Sequence, residues 1–414
     1  YDLITKGKKY NHRPCLAGGV KRLGIPAIAF SDGPRGVVMG NSTCFPVSMA
    51  RGATFNDDLE YEVGTAIAKE AIAGDANYFA GICINLLRNP RWGRAQETYG
   101  EDPFLLGKMG AALTWAVQDN GVIACPKHFA CNSIENIRFS VDVHADEKTL
   151  QEVYFPHFKK CIDAGAMSIM GAYNLLRGEH CCESRYLLTD ILRGRWHFEG
   201  FAITDFLFAL RNGEKAIKAG MDVEMPMKIL YTALPIYLKS GKISQRDIDT
   251  AVQNVLAGLI KITPKIKRQS KDVIACKAHA MLAKKVACEG TVLLKNNGIL
   301  PLKNIKKIAV VGRYANKINV DDHGSSSVAS PYTVTPYEGL CNAFGKENVV
   351  LCESLDISSR LDEIKDCSCV LICVGSDYKQ EGENLANFSS NDDAAEKVHG
   401  GDRYSLRIPS NEVA

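Results

Sequence analysis

The sequence predicts an α/β protein: a (β/α)8 TIM-like barrel followed by a second α/β sandwich domain. Three observations carry that expectation. Short, almost wholly apolar runs alternate with helical stretches, as parallel strands buried on both faces do. The runs end, one after another, in a polar or charged residue. A polar, basic and aperiodic stretch beginning at Thr263 then separates this region from a further set of apolar runs.

Taken in order, the run 25–30 leads to Asp32 and a Gly-Pro-Arg-Gly turn. A helix is expected over 59–73, then a strand over 82–87 that runs into Arg88 and Arg94. A helix over 103–120 precedes the run 122–126 and the pair Lys127-His128. Helical residues 147–164 lead to the run 166–172, with Tyr173 at its tip. Gly200-Phe-Ala-Ile-Thr ends in Asp205, and a helix over 210–219 precedes a strand ending at Glu224. A single strand tip of this kind is most simply a cap for the next helix. Polar residues converging from six tips fit a barrel, whose carboxyl face collects the site, better than a doubly wound sheet with one crevice.

Ser244 and Asp247 form an N-terminal capping pattern ahead of Val252, Val255, Leu256 and Leu259 at helical spacing. The expected division is therefore a barrel over 1–262, a linker over 263–277 and a partial sandwich domain over 278–414. In the last of these, runs at 308–312 and 370–375 read as buried strands, each stopped by Gly. Two polar loops interrupt it, one from His323 to Val328 and one from Gln380 to His399. The chain stops at Ala414, just after what reads as the approach to another strand or helix.

Composition narrows the class. The chain has 46% hydrophobic and 23% charged residues and a net charge of +3, too small to argue for nucleic acid. No stretch approaches the roughly 20 apolar residues of a membrane span. The fifteen cysteines sit mostly inside apolar runs and lack zinc-site spacing, which points to free thiols, no metal and a cytoplasmic protein. A homodimer is one expectation for its assembly.

Without a phosphate loop or metal cluster, carboxylates, cations and a tyrosine at a barrel mouth suit a neutral polyol, and no cofactor is expected. Glycoside hydrolysis with retention needs an ionised carboxylate and a protonated one about 5–5.5 Å apart. Asp205 fits the first role, held ionised by Lys127, Arg94 or Arg138. The second acid is open among Glu224, Glu97 and the Glu381/Glu383 loop.

Asp32-Gly-Pro-Arg-Gly, Asn89-Pro-Arg-Trp-Gly-Arg-Ala-Gln-Glu97, Lys127-His128-Phe, Asn132-x-x-Glu135-x-x-Arg138 and Gly200-Phe-x-x-Thr-Asp205 together resemble glycoside hydrolase family 3. That is the β-glucosidase/β-xylosidase family. Glu289-Gly-Thr-Val-Leu-Leu-Lys-Asn-Asn-Gly is similar to the opening of its second domain. The resemblance implies a retaining exo-β-glycosidase with Asp205 as nucleophile and an oligosaccharide or β-glycoside as substrate. Asp32, Arg94, Lys127, His128 and Arg138 would hold the glycone, with Met170 and Tyr173 as floor and neighbour of the nucleophile. Ser325 would lean over the site. Glu381, followed by Gly382, matches the general acid better than Glu383. Where the family usually carries Trp after the nucleophile this chain has Phe206, which leaves aglycone preference open. The Lys-His loop lacks the Asp–His pair of the hexosaminidase branch, which argues against amino sugars.

Two other readings stand beside this one. A non-catalytic sugar-binding relative, or an inactive fragment, would keep the cations without bringing Glu381 over Asp205. A barrel lyase or aldolase would use Lys127 as a Schiff-base amine in an apolar pocket.

Overall fold

The computed structural model describes residues 12–320, 322, 324–384 and 400–407. The sequence readings at His323, His399 and Ala414 fall outside these.

Strand Ile28–Ser31 pairs in parallel with Tyr78–Cys83, and that strand with Ile123–Lys127. Phe129 bridges to Gly171, continuing the ladder to Ser168–Met170, which pairs with Phe201–Ile203. Ile203 in turn bridges to Val223. Every residue of these strands is buried, which is why their sequences read as unbroken apolar runs. Within the barrel lie Phe30, Tyr78, Cys125, Met170, Phe201, Ile203 and Met225, a packed filling rather than a pore. The TIM-barrel-like architecture thus stands, with one departure. Cys15–Ala17 runs antiparallel to Ile28–Ser31, and the Cys15 thiol reaches the Pro226 carbonyl at 3.7 Å.

Local chemistry sets the helices. Asn56 caps Asp57–Ala73 by accepting the Leu59 N–H, and Asp102 caps Pro103–Asp119 with Pro at its first turn. Ser244 and Asp247 make the expected capping box for Gln245–Ile262. The single helix expected over 147–164 is broken at Phe155, where Pro156 supplies no N–H, and the regular part is Pro156–Asp163.

In the second domain a parallel sheet runs in the order Val349–Cys352, Ile308–Val311, Cys369–Ile372. Helix Lys277–Gly290, which sequence placed at the head of this domain, packs instead on the barrel: Val286 joins the barrel's outer core, and His279 meets the buried Glu70 at 2.6 Å. The second domain grips the barrel mouth directly. Ser42 donates its N–H to the Ala329 carbonyl at 3.0 Å, and the Gln96 amide reaches Asp322 at 3.2 Å and Ser326 at 3.3 Å. All fifteen cysteines are free thiols. No helix among the described residues is long and apolar enough to cross a membrane, and none of their His, Cys, Asp or Glu clusters has the makings of a metal site.

Candidate active site

Parallel strands deliver their last side chains to one rim, and the polar residues gather there. Lys127, the last residue of its strand, puts Nζ 2.6 Å from Asp32 Oδ1. Asp32 also accepts the Gly33 N–H at 3.1 Å. Gly33 has φ +130°, and a Cβ there would meet the Gly36 carbonyl oxygen, so only glycine makes this turn. Burial works against a charged Lys127, but Asp32 outweighs it and the amine is held protonated. A protonated amine is not a nucleophile, so the Schiff-base reading of Lys127 falls.

Arg94 is fully buried and forks onto Glu97 at 3.0 and 2.7 Å. Its remaining donors reach His128 Nε2 at 3.2 Å and the Ser325 hydroxyl at 2.9 Å. Arg138 binds Glu135 at 3.1 Å and Glu383 at 2.9 Å, and its guanidinium lies over the Tyr173 ring at 4.7 Å. Ser325 also gives its N–H to Glu383 Oε2 at 2.9 Å. The second-domain loop therefore meets the cation cluster.

Asn85 fixes the state of His128. Its Oδ1 accepts the His128 backbone N–H at 2.8 Å, and its Nδ2 donates to the His128 carbonyl at 2.8 Å. With the amide so oriented, the 3.0 Å contact between Nδ1 and Oδ1 makes Nδ1 the protonated nitrogen. Nε2 is then an acceptor for Arg94. Burial, aided by Arg94, Lys127 and Arg138, keeps the ring neutral well below its usual pKa.

Asp205 follows strand Phe201–Ile203 and is buried. Its Oδ1 accepts the Phe206 N–H at 2.7 Å. Its Oδ2 has no hydrogen-bond partner and stands 3.4 Å from His128 Nε2, a lone pair facing a carboxylate. Burial pushes its pKa up to about 6, against the pull of Arg138 and Arg94. Tyr173, whose hydroxyl donates to the Phe206 carbonyl, stacks edge-on against Phe139.

The two loop glutamates differ sharply. Burial alone would raise Glu383, but Arg94, Arg138 and the Ser325 N–H hold it well below the usual carboxylate range. Glu381 pairs with Arg403, and burial nevertheless raises it. Among the other acids, Glu224 caps the N–H groups of Ile229, Leu230 and Tyr231 and is a structural residue. Glu97 is committed to Arg94. Met170 packs in the barrel filling, and the Phe206 ring lies 4.8 Å from that of Phe30. Sequence reasoning gave no role to Asn85, Glu135, Gln96 or Asp402. The available signals were a polar Asn85 inside an apolar run and the place of Gln96 and Glu135 within the quoted motifs.

Fold and site define a barrel protein in which one buried, half-satisfied carboxylate faces a set of paired cations, closed over by loops of a second α/β domain. Residues 16–257 match the glycosyl hydrolase family 3 N terminal domain and residues 291–414 the glycosyl hydrolase family 3 C-terminal domain, and the chain belongs to that family. It is 34% identical over 403 residues to thermostable beta-glucosidase B of Acetivibrio thermocellus, covering 89% of this chain and 53% of the relative. The solved beta-glucosidase of Kluyveromyces marxianus in complex with glucose is 34% identical, with a TM-score of 0.77 over 83% of this chain and 43% of that one. The Bifidobacterium adolescentis GH3 beta-glucosidase is 30% identical, with a TM-score of 0.84 over 99% of this chain and 60% of that one. The chain spans about half the length, or less, of the curated relatives it matches.

Proposed function

We propose that the chain acts as a retaining exo-β-glycosidase on terminal β-glucosyl residues, with Asp205 as nucleophile and Glu381 as general acid and base. The observation that carries this is Asp205 Oδ2: a buried carboxylate oxygen without a partner, at the carboxyl end of a barrel strand, ringed by glycone-type donors and acceptors. The glucosyl preference rests on the beta-glucosidase names of the relatives and on the glucose bound in one of them. A β-xyloside is the neighbouring alternative.

In this reading Oδ2 attacks the anomeric carbon as the glycosidic C–O bond breaks, and the leaving oxygen takes a proton from the general acid. Water then enters with the same residue as base, releasing the sugar with its configuration retained. Lys127 with Asp32, His128 Nε2 and the Arg94 and Arg138 guanidiniums offer donors and acceptors to the sugar hydroxyls. Their geometry is set by protein partners before substrate arrives, so little reorganisation accompanies the reaction. The assignment of Glu381 over Glu383 is supported by electrostatics. A proton donor must hold its proton, and Glu383 is locked as an anion between two guanidiniums.

The test is hydrolysis of a panel of p-nitrophenyl glycosides by the chain, with Asp205→Ala, Glu381→Ala and Glu383→Ala alongside. Activity lost in Asp205→Ala, with azide restoring turnover of an activated substrate in Glu381→Ala alone, is the expected outcome. Azide rescue in Glu383→Ala instead would exchange the two roles. Absence of both turnover and glucose binding in the wild type would overturn the glycosidase reading.

A further inference from the structure

We infer that Asp402 is a positioning residue, a latch that holds the loop carrying Glu381 and Glu383 against the two barrel loops that carry Arg94 and Arg138. The inference rests on the reading above, in which that loop supplies the general acid.

The latch is a carboxylate filled with backbone donors from the barrel. Asp402 Oδ1 accepts the Gly93 N–H at 3.0 Å and the Glu135 N–H at 3.0 Å. Its Oδ2 accepts the Glu135 N–H at 3.1 Å and the Asn136 N–H at 3.1 Å. Asn136 Oδ1 returns a bond by accepting the Asp402 N–H at 2.9 Å. Gly93 immediately precedes Arg94, and Asn136 lies two residues before Arg138, so one side chain bridges both glycone-binding loops.

The residues flanking Asp402 carry the restraint to the glutamates. Gly401 gives its N–H to the Gly382 carbonyl at 2.8 Å, and Gly382 stands between Glu381 and Glu383. On the other side Arg403 pairs with Glu381 and gives its N–H to the Arg91 carbonyl at 2.7 Å. The approach is close: a Cβ on Gly93 would lie 2.2 Å from the Gly401 oxygen, so a side chain there would prise the two strands of chain apart. Hydrogen bonds to an ionised acceptor are the strong ones, and Asp402 spends both oxygens on them. A proton donor displaced by about 1 Å loses about 100-fold in rate, which is why its loop needs such an anchor.

Asp402→Asn keeps the shape but turns one oxygen into an NH2 group. Either amide orientation sets that donor against backbone N–H groups, those of Gly93 and Glu135 or those of Glu135 and Asn136. The decisive readout is leaving-group dependence. A 2,4-dinitrophenyl β-glucoside departs without a proton, whereas methyl β-glucoside depends on the general acid. In Asp402→Asn, kcat/KM on the methyl glucoside is expected to fall at least about tenfold further than on the dinitrophenyl glucoside, with Glu381→Ala showing the same bias at about 100-fold. Loss of folded protein lowers both rates together and cancels in the ratio. Equal losses on the two substrates would overturn the latch. If Glu381→Ala shows no bias, the acid assignment fails instead, and amide exchange then decides the latch. Exchange of the 377–384 segment must rise in Asp402→Asn, and unchanged protection refutes it whatever the turnover.

Discussion

Asp205→Asn is expected to abolish turnover and, at pH 7, to make the folded chain more stable. Burial raises Asp205 from its usual 3.8 to about 6. The folded state therefore binds this proton more tightly than the unfolded one. Its contribution to stability is fully present below about pH 4 and is lost as pH rises through about 6. At about 1.4 kcal/mol for each tenfold change in protonation, the loss at neutral pH is about 3 kcal/mol. Asn carries no charge to desolvate. Its Oδ1 retains the bond from the Phe206 N–H, and its Nδ2 replaces the partnerless Oδ2, facing the acceptor Nε2 of His128 instead of opposing it. Urea unfolding of wild type and Asp205→Asn at pH 4 and pH 7 reads the effect. The variant should be favoured by about 2–3 kcal/mol at pH 7 and by little at pH 4. A variant no more stable than wild type at pH 7, or a difference of equal size at both pH values, would refute the argument that the Asp205 carboxylate is held at an electrostatic cost.

Two further substitutions probe the supports of the site. Lys127→Met leaves the Asp32 carboxylate buried beside a thioether, and breaking a pair of this kind should cost about 3–5 kcal/mol of stability. Adding Asp32→Asn should recover much of that in denaturant titrations, and a double variant as unstable as the single would show that the pair is not the cause. Asn85→Ala removes the acceptor that keeps the proton on His128 Nδ1. Glucose affinity measured by calorimetry should weaken about tenfold, the worth of one well-placed hydrogen bond. Unchanged affinity would mean that the tautomer is set elsewhere.

The parallel strands were legible because residues buried on both faces leave unbroken apolar runs, and Asp32, Lys127, Tyr173 and Asp205 stood out as the polar ends of those runs. The antiparallel Cys15–Ala17 strand was not, since three residues carry no periodicity from which direction could be read. Helix Lys277–Gly290 was foreseen as a helix but assigned to the wrong neighbour. Its apolar positions say that it packs, and the contacts of His279 with Glu70, Lys285 with Glu62 and Val286 with the barrel's outer core say on what. Individual cations were visible in sequence, yet their partners were not. Glu135 lies three residues from Arg138, but Asp402 lies 267 residues from Glu135, and no local pattern encodes a bond across that separation. Glu381 and Glu383 were separated in sequence only by the Gly that follows Glu381, while the structure sets Arg403 beside one and Arg94 and Arg138 beside the other.

Those pairings also predict which substrates the site refuses. Arg94 faces both Glu97 and Glu383, Arg138 faces Glu135 and Glu383, and Lys127 faces Asp32, so each of these cations already meets a carboxylate. Asp205 keeps a raised pKa beside these cations because burial outweighs their pull and the Glu383 charge opposes it. An anionic glycone would bring a further negative charge beside Glu383 and Asp205, into a pocket whose cations already meet carboxylates. At an effective dielectric constant of about 20 and a separation of about 5 Å, one such encounter costs about 3 kcal/mol, or about 100-fold in kcat/KM. A β-glucuronide and a 6-phospho-β-glucoside should therefore be cleaved at least about 100-fold more slowly than the parent β-glucoside at pH 7. The bias should shrink in high salt less than a surface effect would, because the charges are buried. Comparable rates on the charged and neutral glycosides would show that one of the three cations is free to meet a substrate anion, and the pairing argument would fail with it.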